Sequence, residues 1–276
     1  MLENNPLKQY FRRPAIYIKL PSGYKNYPDG VIDVPESGEL PVYPMTAIDE
    51  ITVKTPDALF NGTAIVDIIK SCVPSIKDPW SLKSIDLDAV LIAVKSAAGG
   101  NDMEIETVCP ACSEAASYGV NLVGVLSTLK AGDYDTELRV GSDLLIKFKP
   151  LIYKEMTEAG LGQFELQRMF NSIQNLENLE ERTKKQQEAL KVITDVTMKV
   201  LSKTIEYIKT PTAFVDQNDF ILDFIRNCDR NIFEQIKTHN QSLKAMSEVK
   251  PLQIKCASCQ HEYQQTFSIN ATDFFE

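Results

Sequence analysis

Four of the six cysteines occur as two Cys-x-x-Cys pairs, and these pairs carry the strongest chemical signal in the sequence. The first pair is Cys109 and Cys112, and the second is Cys256 and Cys259. Two such pairs that face each other supply four thiolates to a tetrahedral zinc ion, with Zn–S distances near ~2.3 Å. Because sulfur would fill all four positions, none remains for water or a substrate. The sequence therefore predicts a structural zinc site at Cys109, Cys112, Cys256 and Cys259.

Other interpretations of the cysteines fit the pattern less well. A redox-active pair needs its first cysteine at a helix N-terminus, which lowers the thiol pKa, whereas both pairs here lie between strand-like segments. Unrelated buried thiols would not repeat the same spacing in the same context. His261 is a conceivable substitute ligand, but we interpret it as a surface side chain on the outgoing turn. Cys72 and Cys228 lie on apolar helix faces and are interpreted as core residues.

Short strands must position the two pairs. An alternating run, 103–108, leads into the first pair, and a returning strand is predicted at 118–122. The second pair follows a strand at 252–255 and precedes a strand-like run at 263–269. Each pair therefore lies at the turn of a predicted hairpin, where both thiols can point to one ion.

A long insertion must separate the two halves of the site, because Cys112 and Cys256 are 144 residues apart. The stretch 163–210 contains neither Gly nor Pro, and apolar residues recur at helical spacing near both of its ends. Two long helices are the simplest interpretation. The polar run 180–188 between them is either the solvated middle of one very long helix or the turn of a helical hairpin.

The predicted fold class is α+β, with a small mixed β body, a split four-cysteine zinc-ribbon-like site and a long inserted helical hairpin. Residues 1–45, rich in Pro, Gly and Tyr, are predicted to form an extended N-terminal arm. Residues 46–152 with 250–276 are predicted to form the body that carries both cysteine pairs. Residues 153–249 are predicted to form the inserted helical region.

Composition and motifs restrict the function. The 276 residues are 43% hydrophobic and 24% charged, which is typical of a globular protein. The net charge of −9 argues against a duplex-binding surface. No apolar run approaches the ~20 residues of a membrane span, and the start lacks the apolar region of a secretory signal. Phosphate-binding loops, nucleophile elbows and zinc-protease motifs are missing, so we predict neither an enzyme nor a small-molecule substrate.

Several segments together resemble a known family, the baseplate hub proteins of T-even-like contractile-tailed bacteriophages. They are TPDALFNGTA at 55–64, DLDAVLIAVK at 86–95, the two cysteine pairs, His261-Glu262 and the closing Asp273-Phe274-Phe275. The resemblance starts near residue 40 and lies in the order of the segments. The N-terminal arm has no counterpart in it.

The resemblance implies a non-enzymatic structural role in the tail baseplate of the virion, with assembly in the host cytoplasm. It implies other hub and tail proteins as partners, within a symmetric oligomeric assembly, without membrane or nucleic-acid binding. A metal role passes only to the four cysteines. A hub assembly factor that is not retained in the virion stays open as an alternative. A zinc-ribbon nucleic-acid-binding protein and, third, an oxidoreductase also stay open.

Overall fold

The computed structural model describes residues 5–174 and 178–266. Their contacts divide the chain into two compact units. Residues 1–130 together with 248–276 form the first, here named the cysteine unit, and residues 131–247 form the second, the inserted unit. The inserted unit thus begins at residue 131, whereas the sequence indicated residue 153. Both units combine helices with small antiparallel sheets, so the protein is α+β.

The N-terminal segment packs into the cysteine unit. A short 3₁₀ helix, Pro6–Tyr10, precedes strand β1, Ile16–Ile18, which pairs antiparallel with β2, Leu40–Val42. Leu40 and Val42 are fully buried. Arg12 fixes the start of the segment, because its guanidinium donates to the carbonyl oxygens of Pro44 at 2.6 Å and Ser71 at 2.8 Å. Residues 5–45 are therefore anchored by burial and hydrogen bonds.

Four α-helices build the core of the cysteine unit. They are α1, Ala47–Val53; α2, Pro56–Phe60; α3, Thr63–Cys72; and α4, Ser84–Gly99, with a 3₁₀ turn at Pro79–Ser81 before α4. Gly62 has a φ of 79°, a left-handed conformation that suits glycine, and it separates α2 from α3. Buried Asp86 on α4 accepts hydrogen bonds from the Ser22 amide and the Tyr27 hydroxyl. Both oxygens of this carboxyl group therefore accept a hydrogen bond although the side chain is inaccessible.

Two hairpins complete this unit. Strand β3, Asp102–Val108, pairs with β4, Ala115–Asn121, and helix α5, Leu122–Thr128, follows β4 directly. Near the other end of the chain, β9, Leu252–Lys255, pairs with β10, Glu262–Gln265. These hairpins are the ones that the sequence placed around the cysteine pairs. The last residues of the run predicted at 263–269 lie outside the described residues.

The inserted unit is built on a four-stranded antiparallel sheet in the order β5-β6-β7-β8. Its strands are β5, Leu138–Val140; β6, Leu144–Phe148; β7, Ile205–Lys209; and β8, Phe214–Val215. Its helices are α6, Tyr153–Gln174; α7, Leu179–Lys203; α8, Asn218–Asn227; and α9, Arg230–Ser247. The core includes Ile146, Phe148, Ile205, Ile221 and Ile236.

Helices α6 and α7 pack against each other in opposite directions. Lys203 near the end of α7 contacts Glu158 near the start of α6 at 2.6 Å, and Gly162 faces Val196 further along. The polar run 180–188 lies within α7, so it is not the turn between the helices.

Beyond α7 the prediction that the helix continues to residue 210 was wrong. Residues 205–209 form a strand that pairs with β6, and a register shift at Lys147 and Phe148 lets both Ile205 and Ile208 be buried.

No helix among the residues that the structure describes is both long enough and apolar enough to cross a membrane.

Candidate metal centre

The structure brings the four cysteines of the two pairs together. Their sulfur atoms all lie within 4.8 Å of one another. The sulfurs of Cys109 and Cys259 are 3.7 Å apart, as are those of Cys112 and Cys256. A disulfide would require about 2.05 Å, whereas a tetrahedron with Zn–S bonds of ~2.3 Å has edges of ~3.8 Å. The cluster therefore has the spacing of a metal site and not that of two disulfides.

The first pair lies in a tight turn between β3 and β4. The amide of Cys109 donates to the carbonyl of Glu114, and the amide of Ser113 donates to the carbonyl of Cys109, both at 2.9 Å. These bonds continue the hairpin past β3 and fold the chain back on itself. Both thiols consequently lie on the same side of the turn.

The second pair repeats this turn between β9 and β10. The amide of Cys256 donates to the carbonyl of His261, and the amide of Gln260 donates to the carbonyl of Cys256, again at 2.9 Å. Ser113 and Gln260 occupy equivalent places, one residue after the second cysteine, and both are left-handed with φ of 60° and 62°. Two equivalent turns thus present two thiols each to a common centre.

Backbone amides favour the ionised form of part of the cluster. The amides of Cys259 and Ser258 donate to the sulfur of Cys256 and lower its pKa to about 7. At Cys112 the amide of Glu114 acts in the same direction, but hydrogen bonds with the other three thiols raise the pKa to about 12. The four thiols are thus too close to ionise together without a cation. A divalent metal ion bound there would supply the missing positive charge.

The burial of the cluster agrees with a closed site. Cys109 and Cys256 are 1% exposed, whereas Cys112 and Cys259 lie at the surface. Four sulfurs fill a tetrahedral shell, which suits a structural site rather than a hydrolytic one. His261 is exposed and lies outside the cluster, with its ring stacked on Tyr263. The four thiols fit a zinc ion without a further ligand.

Sequence reasoning missed the polar contact that joins the two hairpins. The hydroxyl of Thr107 on β3 donates to the side-chain oxygen of Gln265 on β10 at 2.8 Å. Thr107 is 8% exposed, so this bond is shielded from water. It involves residues 158 positions apart, and no local pattern marks either of them.

The two remaining cysteines lie elsewhere. Cys72 is fully buried on α3, and burial raises the pKa of its thiol to about 11. Cys228 caps the C-terminus of α8 and is half-buried. Within the described residues, Cys109, Cys112, Cys256 and Cys259 are the one group of His, Cys, Asp or Glu side chains close enough to share a metal ion.

Comparison with known proteins adds one match. A family described as T4 bacteriophage base plate protein matches residues 30–276, which includes both cysteine pairs and the whole inserted unit. No curated protein and no solved structure matches the chain.

Proposed function

The chain belongs to the T4 bacteriophage base plate protein family, and we propose on that basis that it is a structural component of the baseplate hub of a contractile phage tail. The family implies a location in the virion tail and interactions with other tail proteins. The observation that carries the proposal is the match over residues 30–276, because it spans both units. The closed four-sulfur cluster supports a structural role over an enzymatic one.

The proposed cofactor is one structural zinc ion per chain, held by Cys109, Cys112, Cys256 and Cys259. The ion would neutralise the four thiolates and cross-link the β3–β4 hairpin to the β9–β10 hairpin. These hairpins flank the inserted unit in the sequence. The chain itself supplies the two equivalent turns, the amide donors to sulfur and the Thr107–Gln265 bond that align the hairpins.

The proposed partners are other hub and tail proteins within a symmetric oligomeric assembly, put together in the host cytoplasm. No catalytic residue, small-molecule substrate or nucleic acid forms part of this proposal. The net charge of −9 supports the last point, because nucleic-acid backbones repel an acidic surface. The α6–α7 pair provides a surface of the inserted unit for contacts with other proteins. This surface includes the polar part of α7 and the exposed side chains of Phe164 and Leu190.

The test is mass spectrometry and antibody labelling of purified tails, together with a phage in which the gene is interrupted. We expect a fixed copy number of the chain in mature tails and a failure of baseplate assembly without it. A chain found in assembly intermediates but missing from mature tails would replace the hub subunit with an assembly factor. Its absence from both would contradict the proposal.

A further inference from the structure

Strands β4 and β9 of the cysteine unit each have an open edge. Among the described residues, β4 pairs only with β3, and β9 pairs only with β10. The edge of β4 that faces away from β3 and the edge of β9 that faces away from β10 are therefore open. An open edge presents main-chain donors and acceptors that can pair with another extended chain. The register of each hairpin shows which residues present them.

On β4 the open groups include those of Gly119. The amide of Leu122 donates to the carbonyl of Asn101, which marks a hydrogen-bonded position of the ladder. Because such positions alternate along an antiparallel pair, Gly119 is at a position that makes no bond to β3. Its N–H and C=O therefore point away from the hairpin. Neither forms a hydrogen bond with another described residue.

On β9 the same reasoning selects Gln253. The amide of Cys256 donates to the carbonyl of His261, so Cys256 is at a hydrogen-bonded position of the ladder. Because such positions alternate along β9, Gln253 is at a position that makes no bond to β10. Its main-chain N–H and C=O also lack a hydrogen-bond partner among the described residues.

Both open edges line one groove with a volume of about 480 Å³. Its walls come from the consecutive residues 118–121 and 249–255, as expected for strand edges rather than for a sheet face, where every second residue would contribute. Tyr118, Val125 and Leu252 contribute apolar surface to it, beside polar side chains such as Asn121 and Gln253. Among the described residues no atom lies within 4 Å of a Cβ built on Gly119, so the sheet face beside this edge is open.

The charge of the groove selects its occupant. Lys250 and Lys255 are the charged residues that line it, although the chain as a whole carries −9. A second copy of the chain that paired through the same edges would bring its lysines close to these two lysines. An acidic segment of another protein would instead meet opposite charge.

We propose that the groove binds an extended segment of another tail protein, with alternating apolar residues and acidic side chains, by adding it as a strand at the edges of Gly119 and Gln253. Main-chain bonds would provide affinity, and the apolar surface with the two lysines would provide specificity. The inference takes the source of the segment from the proposed function, but the groove and its chemistry do not depend on it.

The test uses the zinc-loaded full chain and synthetic peptides of about six residues, the usual length of a strand. The first peptide alternates Val with Glu, the second alternates Val with Lys, and the third is the acidic peptide with alternate amides N-methylated. Fluorescence anisotropy measures the dissociation constants. We expect the dissociation constant of the acidic peptide to be lower than that of the basic one by a factor of about five or more. We expect N-methylation to raise the dissociation constant of the acidic peptide by a factor of about ten or more.

A charge-reversed variant, Lys250→Glu with Lys255→Glu, should lose the preference for the acidic peptide. The matched control is Lys54→Glu with Lys70→Glu, which changes the net charge equally at two exposed positions on other elements of the same unit. Unchanged zinc content and Trp80 fluorescence would show that both variants fold. No binding at millimolar peptide, no charge preference, or equal binding of the N-methylated peptide would each overturn the inference. Absence of the chain from tails would refute the proposed function alone.

Discussion

At the scale of single residues, the proposed zinc site predicts that each of its four cysteines is separately necessary for metal binding. Replacing Cys112 or Cys259 by Ala leaves three thiols, of which two are buried beside the vacancy. We expect either variant to lose the zinc and to unfold with a free energy lower by at least about 3 kcal/mol, because metal binding in such sites contributes directly to folding. Elemental analysis and thermal unfolding followed by the fluorescence of Trp80, the single tryptophan, measure both effects.

Cys228→Ala is the matched control, since Cys228 lies outside the cluster and is half-buried on the inserted unit. It should keep one zinc per chain and leave the transition reported by Trp80 unchanged. Metal-free wild-type protein with four freely titrating thiols in the cluster would refute the zinc site and favour a redox role for the pairs.

We expect the stability of the cysteine unit to depend on pH because of Asp88 on α4. Burial, together with the nearby charge of Glu248, raises the pKa of Asp88 to about 7, against ~3.9 in an unfolded chain. Between these values the folded state holds a proton that the unfolded state has released. This residue therefore lowers stability as pH rises from about 4 to 7, and its full cost applies above pH 7.

We expect Asp88→Asn to stabilise the cysteine unit by roughly 1–3 kcal/mol at pH 8 and by much less at pH 4.5. Urea unfolding followed by Trp80 fluorescence measures the difference. Asp67→Asn, at an exposed position on α3, removes the same charge without the burial and should show little change at either pH. An equal gain at both pH values would contradict the assignment to Asp88.

At the scale of elements, each of the two cysteine turns contains one residue whose backbone conformation lowers the stability of the fold. Ser113 and Gln260 adopt left-handed φ values of 60° and 62°, which cost about 1 kcal/mol for a residue with a Cβ. Ser113→Gly and Gln260→Gly should therefore raise the free energy of unfolding by a few tenths to about 1 kcal/mol each and tighten zinc binding a few-fold.

Chelator competition measures the zinc affinity, and unfolding of the zinc-loaded chain measures stability. Ser258→Gly is the control, because Ser258 lies in the same turn without a positive φ, so glycine there should only add flexibility and lower stability slightly. If Ser113→Gly behaved like Ser258→Gly, the left-handed turns would not limit the stability of the site.

The sequence was informative wherever a local pattern determined the element. The hairpins around the cysteines were predicted because alternation and turn residues are local, and the repeated spacing identified the four cysteines that the structure brings together. Strand β7 falls in the stretch predicted to be helical, because Leu201 and Ile208 fit helical spacing, and only pairing with β6 decides for a strand. The left-handed turns at Ser113 and Gln260 were invisible because neither residue is glycine.

At the scale of the whole molecule, the spacing of the cysteine pairs predicted an insertion but not its limits. Strands β5 and β6 look like part of the body in the sequence, since they precede the long helices. In the structure β6 pairs with β7, which follows those helices, so the sheet can close only within the inserted unit. Such pairing depends on residues about sixty positions apart, beyond the reach of local patterns.

The ends of the inserted unit meet, which predicts that it can be removed. The amide of Gly132 donates to the hydroxyl of Ser247 at 2.8 Å, and a Cβ on Gly132 would lie 2.7 Å from the carbonyl oxygen of Leu243. A linker of about four Gly and Ser residues, each spanning up to ~3.5 Å, can therefore replace residues 131–247.

We expect the shortened chain to bind one zinc and to keep a cooperative unfolding transition at Trp80, because every cysteine of the cluster and its supporting bonds lie in the cysteine unit. The same chain with Cys259→Ala is the control and should bind no zinc. A shortened chain that is unfolded and metal-free would mean that the cysteine unit depends on the inserted unit for its own stability.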